Sequence, residues 1–343
     1  MNMTGSSTQT GGHEGVFYAT TRQGQRLPVI DVSNPCFVVP DDSGSLTLLR
    51  KELAESERRR KRVPRFLLKW MMRAMVRRSL LARELLGGDG AVLSGMTTYI
   101  MKLGAGNLVA PFNTPVDQRL AAAPGVMSMR VRLQQLAKLL SEALPGELAA
   151  REGAPLHLLS VGGGTAIDSL NTLILLRKSA PAALEGREIT LHVLDPDSEG
   201  PEFAARALAA LSDHGGPLNG LNVRFTHVSY NWKDASTLAG LVRELSTSDT
   251  LIAASTEGAL FEYGDDATIR SNLEALRSGR NVVLVGGTVT RPDPLTREFI
   301  TTSRFKLVPR SAEEFTALVE PTGFKVTRMS TALLSNQVLL RPV

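Results

Sequence analysis

Apolar and polar positions alternate in blocks along the second half of the chain. Short apolar runs predict strands at 158–161, 189–194, 222–228, 250–255, 282–285, 325–329 and 337–340. Amphipathic stretches between these runs predict helices at 167–178, 203–211, 235–245, 267–276 and 312–319. Strands that alternate with helices form parallel βαβ units. The pattern therefore predicts an α/β fold for 151–343.

The first half of the chain has a different, mostly helical pattern. Residues 1–15 are polar and rich in glycine and serine, which predicts a flexible start, and 17–39 holds short β-like pieces interrupted by prolines. Helical spacing of apolar residues predicts helices at 46–57, from Arg58 to near Gly87, at 97–103 and at 127–144, the last ended by Pro145-Gly146. We expect a separate, mostly helical region over 16–150.

Three consecutive glycines, Gly162, Gly163 and Gly164, follow the first predicted strand and precede a helix. Glycine at such a turn lets a ligand lie against the backbone, and the helix N-terminus offers it amide donors. The next strand ends in Asp195, where a carboxylate accepts hydrogen bonds from ribose hydroxyls. The glycine turn and Asp195 together predict nucleoside binding. The alternative is a glycine turn that only packs a helix against the sheet.

The residues around the glycines restrict the nucleoside. No Gly-Lys-Ser or Gly-Lys-Thr follows them, which excludes a phosphate loop, and Ile167 stands where a dinucleotide fingerprint needs its last glycine. No Lys or Arg follows the loop before Arg177. A neutral loop suits a ligand that has adenosine and no phosphate, such as S-adenosylmethionine (SAM).

The glycine loop resembles motif I of class I SAM-dependent methyltransferases, acid-x-Gly-x-Gly-x-Gly, and the resemblance covers 155–343. The motif positions are held by Ser160 in place of the acid, then Gly162, Gly164 and Ala166. The segments 163–171 and 255–264 also resemble a group of bacterial methyltransferase-like proteins. The resemblance implies a Rossmann-like sheet of seven strands whose last pair is antiparallel around Ser335-Asn336. It also implies an N-terminal region that roofs the substrate site, pairs in a homodimer, or does both.

The resemblance further implies which residues bind SAM and its product S-adenosylhomocysteine (SAH). Asp168 would replace the missing acid, and Asp195 would hold the ribose. Adenine would lie beyond the third predicted strand, where Tyr230 or Trp232 could stack on it and Asn231 could bond its edge. The predicted cofactor-binding set is Ser160, Gly162, Gly163, Gly164, Asp168, Asp195, Pro196, Tyr230, Asn231, Trp232 and Ser255.

Methyl transfer from a sulfonium mainly requires alignment of the acceptor and exclusion of water, sometimes with a general base. Glu257, after the fourth predicted strand, is the predicted base or substrate anchor, with a helix cap as the alternative. Tyr99 and Tyr263 are predicted to line the substrate pocket. Arg130 and Arg132 could reach the SAM carboxylate or face water.

Composition favours an intracellular enzyme. The chain has 343 residues, 43% of them hydrophobic, one cysteine and five scattered histidines. These counts exclude internal disulfides, argue against a zinc site and favour a reducing compartment, so we expect a cytoplasmic protein. The polar N-terminus does not resemble a secretory signal, and no run approaches the ~18 apolar residues of a membrane span.

Positive charge concentrates in residues 50–84, which contain thirteen Lys and Arg and four acids, in a chain of net charge +5. Three hypotheses fit this segment: a helix packed by its apolar face, an anion site for a phosphate- or carboxylate-bearing substrate, or a nucleic-acid surface. Phe66 and Trp70 fall on the predicted apolar face, which disfavours nucleic acid. Contact with anionic lipid is a weaker alternative.

We therefore expect a SAM-dependent methyltransferase that acts on a small molecule, with an anionic compound or a natural-product intermediate as the favoured acceptor. Two alternatives stay open. One is an RNA-binding or RNA-modifying protein of the same fold that uses the basic residues of 58–83. The other is a protein that binds SAM without catalysis.

Overall fold

The computed structural model describes residues 14–87, 94–246, 249–303 and 305–343. Its strands are β1 (Tyr18–Thr20), β2 (Arg26–Pro28), β3 (Leu156–Val161), β4 (Glu188–Leu194), β5 (Asn222–Val228), β6 (Leu251–Thr256), β7 (Val282–Thr290), β8 (Phe324–Thr331) and β9 (Ser335–Pro342). The first two strands form an antiparallel pair. The other seven form one sheet in the order β5-β4-β3-β6-β7-β9-β8.

The large sheet is parallel from β5 to β7, and β9 runs antiparallel to both β7 and β8. This confirms the predicted α/β sheet with its antiparallel last pair. Ser335 and Asn336, expected around the hairpin turn, pair inside β9, because the chain turns at 332–334. Strand order reverses at β3, which has β4 on one side and β6 on the other. The carboxyl ends of β3 and β6 therefore flank the crevice where open α/β sheets bind ligands.

The helices before the large sheet are α1 (Ser43–Lys61), α2 (Arg65–Arg78), α3 (Leu80–Gly87), α4 (Gly95–Lys102), α5 (Pro115–Ala121) and α6 (Pro124–Ala150). Those within and after it are α7 (Ile167–Ser179), α8 (Glu199–Ser212), α9 (Ser236–Leu245), α10 (Leu260–Tyr263), α11 (Asp266–Arg277), α12 (Pro294–Ser303) and α13 (Ala312–Val319). The predicted helices of the second half are all present. Helices α5, α10 and α12 were not predicted, because each is short or carries few apolar residues at helical spacing.

Helix α6 packs on the sheet and joins the N-terminal region to it. Its Leu136 and Leu140 share one core with Leu173 of α7 and Leu284 of β7. The prediction that this helix ends before Pro145 is wrong. The helix continues to Ala150, because burial of residues beyond the proline, such as Leu148, offsets the one backbone hydrogen bond that proline removes.

The basic segment is not one continuous helix. It is divided among the end of α1, α2 and α3, with breaks at 62–64 and at Ser79. Pro64 disfavours helical backbone at the residue before it, which accounts for the first break. The hypothesis of a helix packed by its apolar face holds for Leu81, which is fully buried in α3, but not for Phe66 and Trp70 of α2, which are 75% and 66% exposed.

Candidate functional site

The glycine loop leaves β3 along a path that needs glycine. Gly162 and Gly164 have positive φ angles of 64° and 48°, and Ala166 adopts the same left-handed region at 50° just before α7. The Gly162 amide donates to the Leu194 carbonyl at 2.8 Å, which ties the loop to the end of β4. The loop therefore lies across the carboxyl ends of β3 and β4, as predicted.

Asp195 lies directly against this loop. Its Oδ2 accepts a hydrogen bond from the Gly164 amide at 2.9 Å, and its Oδ1 accepts one from the Asp197 amide at 2.9 Å. The side chain is half-buried, and burial raises the pKa of its carboxyl group. Each carboxylate oxygen has a second lone pair that can accept from a ligand hydroxyl. Pro196, which follows it, is exposed.

Trp232 forms one wall beside the loop. A Cβ atom on Gly162 would stand 2.7 Å from the Trp232 ring and 2.6 Å from Ala259, so both residues pack on the glycine. Asn231 is exposed, and its Oδ1 accepts a hydrogen bond from the Lys233 amide at 3.1 Å. Tyr230 is only 3% exposed and donates its hydroxyl proton to Asn272, so it packs in the core and is not free to stack on a ligand.

Ser160 and Asp168 lie beneath the loop. The Ser160 hydroxyl donates to Asp168 Oδ1 at 3.1 Å, and Asp168 is 2% exposed. Burial raises the pKa of the Asp168 carboxyl group. A Cβ on Gly163 would come within 2.3 Å of Ser160 Oγ, so the loop rests directly on this pair. Ser255, 3% exposed at the end of β6, is in register with Ser160. The buried position of Asp168 indicates that it supports the loop from below.

Two helix N-termini approach the loop at glycines that the sequence did not single out. A Cβ on Gly95 of α4 would stand 2.9 Å from the Gly164 Cα atom. A Cβ on Gly200 of α8 would stand 2.9 Å from the Gly164 carbonyl carbon. Glycine at all three positions therefore permits the close packing of these segments.

Four charged side chains form a buried cluster beyond the end of β6, which we call the charged cluster: Lys102, Arg132, Glu257 and Glu262. Glu257 accepts from Lys102 Nζ and, at 2.5 Å, from Arg132 Nε. Glu262 accepts from Arg132 at 2.8 Å and from the Thr290 hydroxyl at 2.7 Å. Exposed side-chain fractions range from 3% at Glu262 to 13% at Arg132. The two positive and two negative charges balance.

The pKa values of the two glutamates in the charged cluster are shifted in opposite directions. Burial alone would raise the pKa of Glu257, but the charges of Lys102 and Arg132 outweigh it, so its pKa is lowered. At Glu262 burial dominates over the attraction of Arg132, and its pKa is raised. Burial likewise lowers the pKa of Lys102. Glu257 is therefore a doubly paired carboxylate, poorly suited to the predicted role of general base.

A pocket opens beside the charged cluster. It has about 630 Å³ of unoccupied space, including its open mouth. Arg132, Glu262 and Thr290 supply polar groups to its wall. The apolar lining consists mainly of Met129, Tyr263, Phe299, Phe305, Leu307 and Leu334. Gly258 lines the pocket and the next residue, Ala259, packs on Gly162, so the pocket and the glycine loop share a wall.

Tyr263 lines this pocket, and burial raises the pKa of its hydroxyl. Tyr99 does not line this pocket. It is 1% exposed, donates to the Pro28 carbonyl at 2.6 Å and accepts from the Ile30 amide at 3.1 Å, which makes it an anchor for the N-terminal strands. Arg130 donates to the Phe37 carbonyl at 3.1 Å and lies against Gly104, and it takes no part in the ion pairs of the charged cluster.

Three residues of the site were not predicted from the sequence: Lys102, Glu262 and Phe299. Lys102 and Glu262 are each flanked in the sequence by apolar residues. Because a charged side chain is rarely buried without a partner, each of them indicates a buried ion pair. Among the described residues no group of three or more His, Cys, Asp and Glu side chains is arranged to hold a metal ion. None of the helices in the described ranges combines the length and apolar character needed to cross a membrane.

No protein-family model and no curated protein matches this sequence. Solved structures similar to it include 1,6-didemethyltoxoflavin-N1-methyltransferase of Burkholderia thailandensis with bound SAH, at 17% identity over 61% of this chain and 78% of that chain, with a TM-score of 0.36. An O-methyltransferase family protein of Burkholderia thailandensis is 16% identical over 67% of this chain and 61% of that chain, with a TM-score of 0.40.

A LepI variant in complex with SAH and a substrate analogue is 10% identical and covers 88% of this chain and 95% of that chain, with a TM-score of 0.44. These likenesses are too distant to carry a function over to this chain. The function proposed below therefore rests on the chain's own residues.

Proposed function

We propose that this protein is a SAM-dependent methyltransferase that acts on a small, uncharged molecule. One observation carries the proposal. The Gly162–Gly164 loop is hydrogen-bonded to Asp195 at the point where strand order reverses, and it shares a wall with a mostly apolar pocket. Methyl transfer requires the donor and the acceptor to meet in line, and an acceptor pocket next to the cofactor loop allows this.

The residues around the loop fit the cofactor. Asp195 would accept the ribose hydroxyls, while Trp232 and Asn231 lie on the side where adenine would be held. The absence of a basic side chain within 162–176 disfavours a phosphate-bearing ligand. SAM supplies a methyl group on a sulfonium, which needs no metal and no covalent enzyme intermediate. The protein's part is to hold the acceptor in line and exclude water.

The charges of the pocket favour an uncharged acceptor. Among the lining residues that the structure describes, Arg132 is the one cation, and its guanidinium already pairs with Glu257 and Glu262. An anionic acceptor would face Glu262 at the same wall. We therefore replace the anionic acceptor expected from sequence with a neutral one that packs on Phe299 and Phe305.

Glu262 replaces Glu257 as the proposed proton acceptor. It lines the pocket, and burial raises its pKa, whereas Glu257 lies behind it in two ion pairs. A general base works best when its pKa is near the working pH. Glu257 would instead position Arg132 and keep the cluster neutral.

Turnover of SAM against neutral aromatic hydroxyl and amine compounds tests this function. We expect SAH release together with a product heavier by one methylene unit, detected by mass spectrometry. Glu262→Gln should lower kcat by about a hundredfold or more and flatten its pH profile, because a general base typically accelerates a reaction by about 10²–10⁴-fold. Glu313→Gln, an exposed carboxylate on α13, is the control. SAH binding without turnover of any compound would instead favour a SAM-binding protein without catalysis.

A further inference from the structure

Helix α2 presents large apolar side chains to solvent. Phe66 is 75% exposed, Trp70 66%, Met71 43% and Leu67 38%. Among the described residues eight large hydrophobic side chains are exposed, and these four fall within six consecutive positions. Scattered exposed apolar residues need no explanation, but a cluster of this kind marks an interaction surface.

The opposite side of the helix is less exposed. Leu68, Met72, Met75 and Val76 recur there at helical spacing and are half-buried. The outer face, formed by residues 66, 67, 70 and 71, therefore carries the most exposed apolar side chains of α2.

Positive charge surrounds the outer face. The sequence of α2, Arg65–Arg78, contains five Lys and Arg and no acid. Lys69, Arg73, Arg77 and Arg78 are exposed, and none of them forms an ion pair with any residue in the described ranges. The basic run 58–62 ends just before the helix and adds further charge.

We propose that α2 docks the protein on the surface of an anionic lipid bilayer, with the helix axis in the plane of the membrane. The outer apolar side chains would enter the boundary between headgroups and acyl chains, and the flanking cations would bind the headgroups. Trp70 suits this boundary because an indole ring is amphipathic.

The positive charge of α2 disfavours a second copy of this chain as the partner of the outer face. A symmetric contact through this face would bring two acid-free basic helices together, and like charges repel. Nucleic acid would pair with the cations and could stack on an aromatic ring, but it would leave Leu67 and Met71 in water. An anionic bilayer satisfies both the apolar and the basic residues.

Vesicle flotation of the full chain tests the proposal. We expect binding to phosphatidylcholine vesicles that contain phosphatidylglycerol, weak binding to pure phosphatidylcholine, and loss of binding at high salt. The double variant Phe66→Ser, Trp70→Ser should bind about tenfold or more weakly, because the two aromatic side chains that would enter the bilayer are lost. Leu48→Ser, at a side chain that is 64% exposed on α1, should bind like the unmodified protein.

Fluorescence locates the contact. In a Trp232→Phe background the emission of Trp70 should shift to the blue on addition of the anionic vesicles. Equal binding by the double variant, or no vesicle binding at all, would overturn the proposal. So would a dimer in solution that dissociates in the double variant, or RNA binding in place of vesicle binding.

Discussion

The charged cluster makes a quantitative prediction about stability. Glu257→Gln leaves Lys102 without its ion-pair partner and Arg132 with one, Glu262, so the charged cluster gains a positive charge that no ion pair compensates. Removing one partner of a buried ion pair destabilises a protein by about 3–5 kcal/mol. With about 2.1 cal/mol/K of unfolding entropy per residue and 343 residues, this lowers the melting temperature by roughly 4–7 °C.

The pH dependence of this loss follows from two pKa shifts. The lowered pKa of Glu257 means that its contribution is present above the ordinary value of 4.5 and is lost as pH falls through the folded value. In the variant, the pKa of Lys102 falls further, because Glu257 no longer raises it. Lys102 can then lose its proton, so the stability deficit of Glu257→Gln should shrink as pH rises from neutral toward 10.5.

Scanning calorimetry of a double-mutant cycle measures the coupling. Lys102→Met, Glu257→Gln restores a neutral cluster, so its loss of stability should be smaller than the sum of the single losses by about 1–3 kcal/mol. Lys138→Met, Asp41→Asn, at a more exposed ion pair, should show little coupling. Additive losses at Lys102 and Glu257 would refute the idea that these side chains act as one buried unit.

Three further predictions concern the scaffold. Gly164→Ala should lower the free energy of unfolding more than Gly186→Ala. Both positions have a positive φ, but only a Cβ at 164 would contact the backbone of another segment. Calorimetry measures the stability of both variants. Tyr99→Phe should cost about 1–3 kcal/mol by denaturant titration, since two buried backbone groups lose their partner, while SAH binding is retained. Burial and nearby His157 lower the pKa of His192 to about 4. The free energy of unfolding should therefore fall as pH drops from 6.5 toward that value, and an NMR titration of the imidazole checks the pKa.

Much of the fold was predictable because its periodicities are local. The strands of the large sheet and the helices of the second half follow apolar runs and helical spacing, and glycines mark the turn after β3. The end of α6 was not predictable, because burial of Leu148 beyond Pro145 depends on long-range packing. The exposed face of α2 was missed for a related reason: spacing shows that Phe66 and Trp70 share a face but not whether anything covers it.

The candidate site also has a part that was predictable from the sequence and a part that was not. The loop and Asp195 were predictable because adjacent parallel strands bring their carboxyl ends together. Glu257, Lys102 and Arg132 lie in three segments that are far apart in the sequence. Glu257 could therefore be predicted as a site residue, but its ion pairs with the other two could not.

Calorimetric titration with SAH tests whether the glycine loop and Asp195 form a SAM site. We expect micromolar binding by the unmodified protein and loss of about a hundredfold or more in Asp195→Ala, because charged hydrogen bonds to the ribose disappear. Asp197→Ala, at the exposed neighbour whose amide bonds Asp195, should bind almost normally. Absence of SAH binding by a folded sample, or equal binding by Asp195→Ala, would contradict the assignment of this loop as a SAM site.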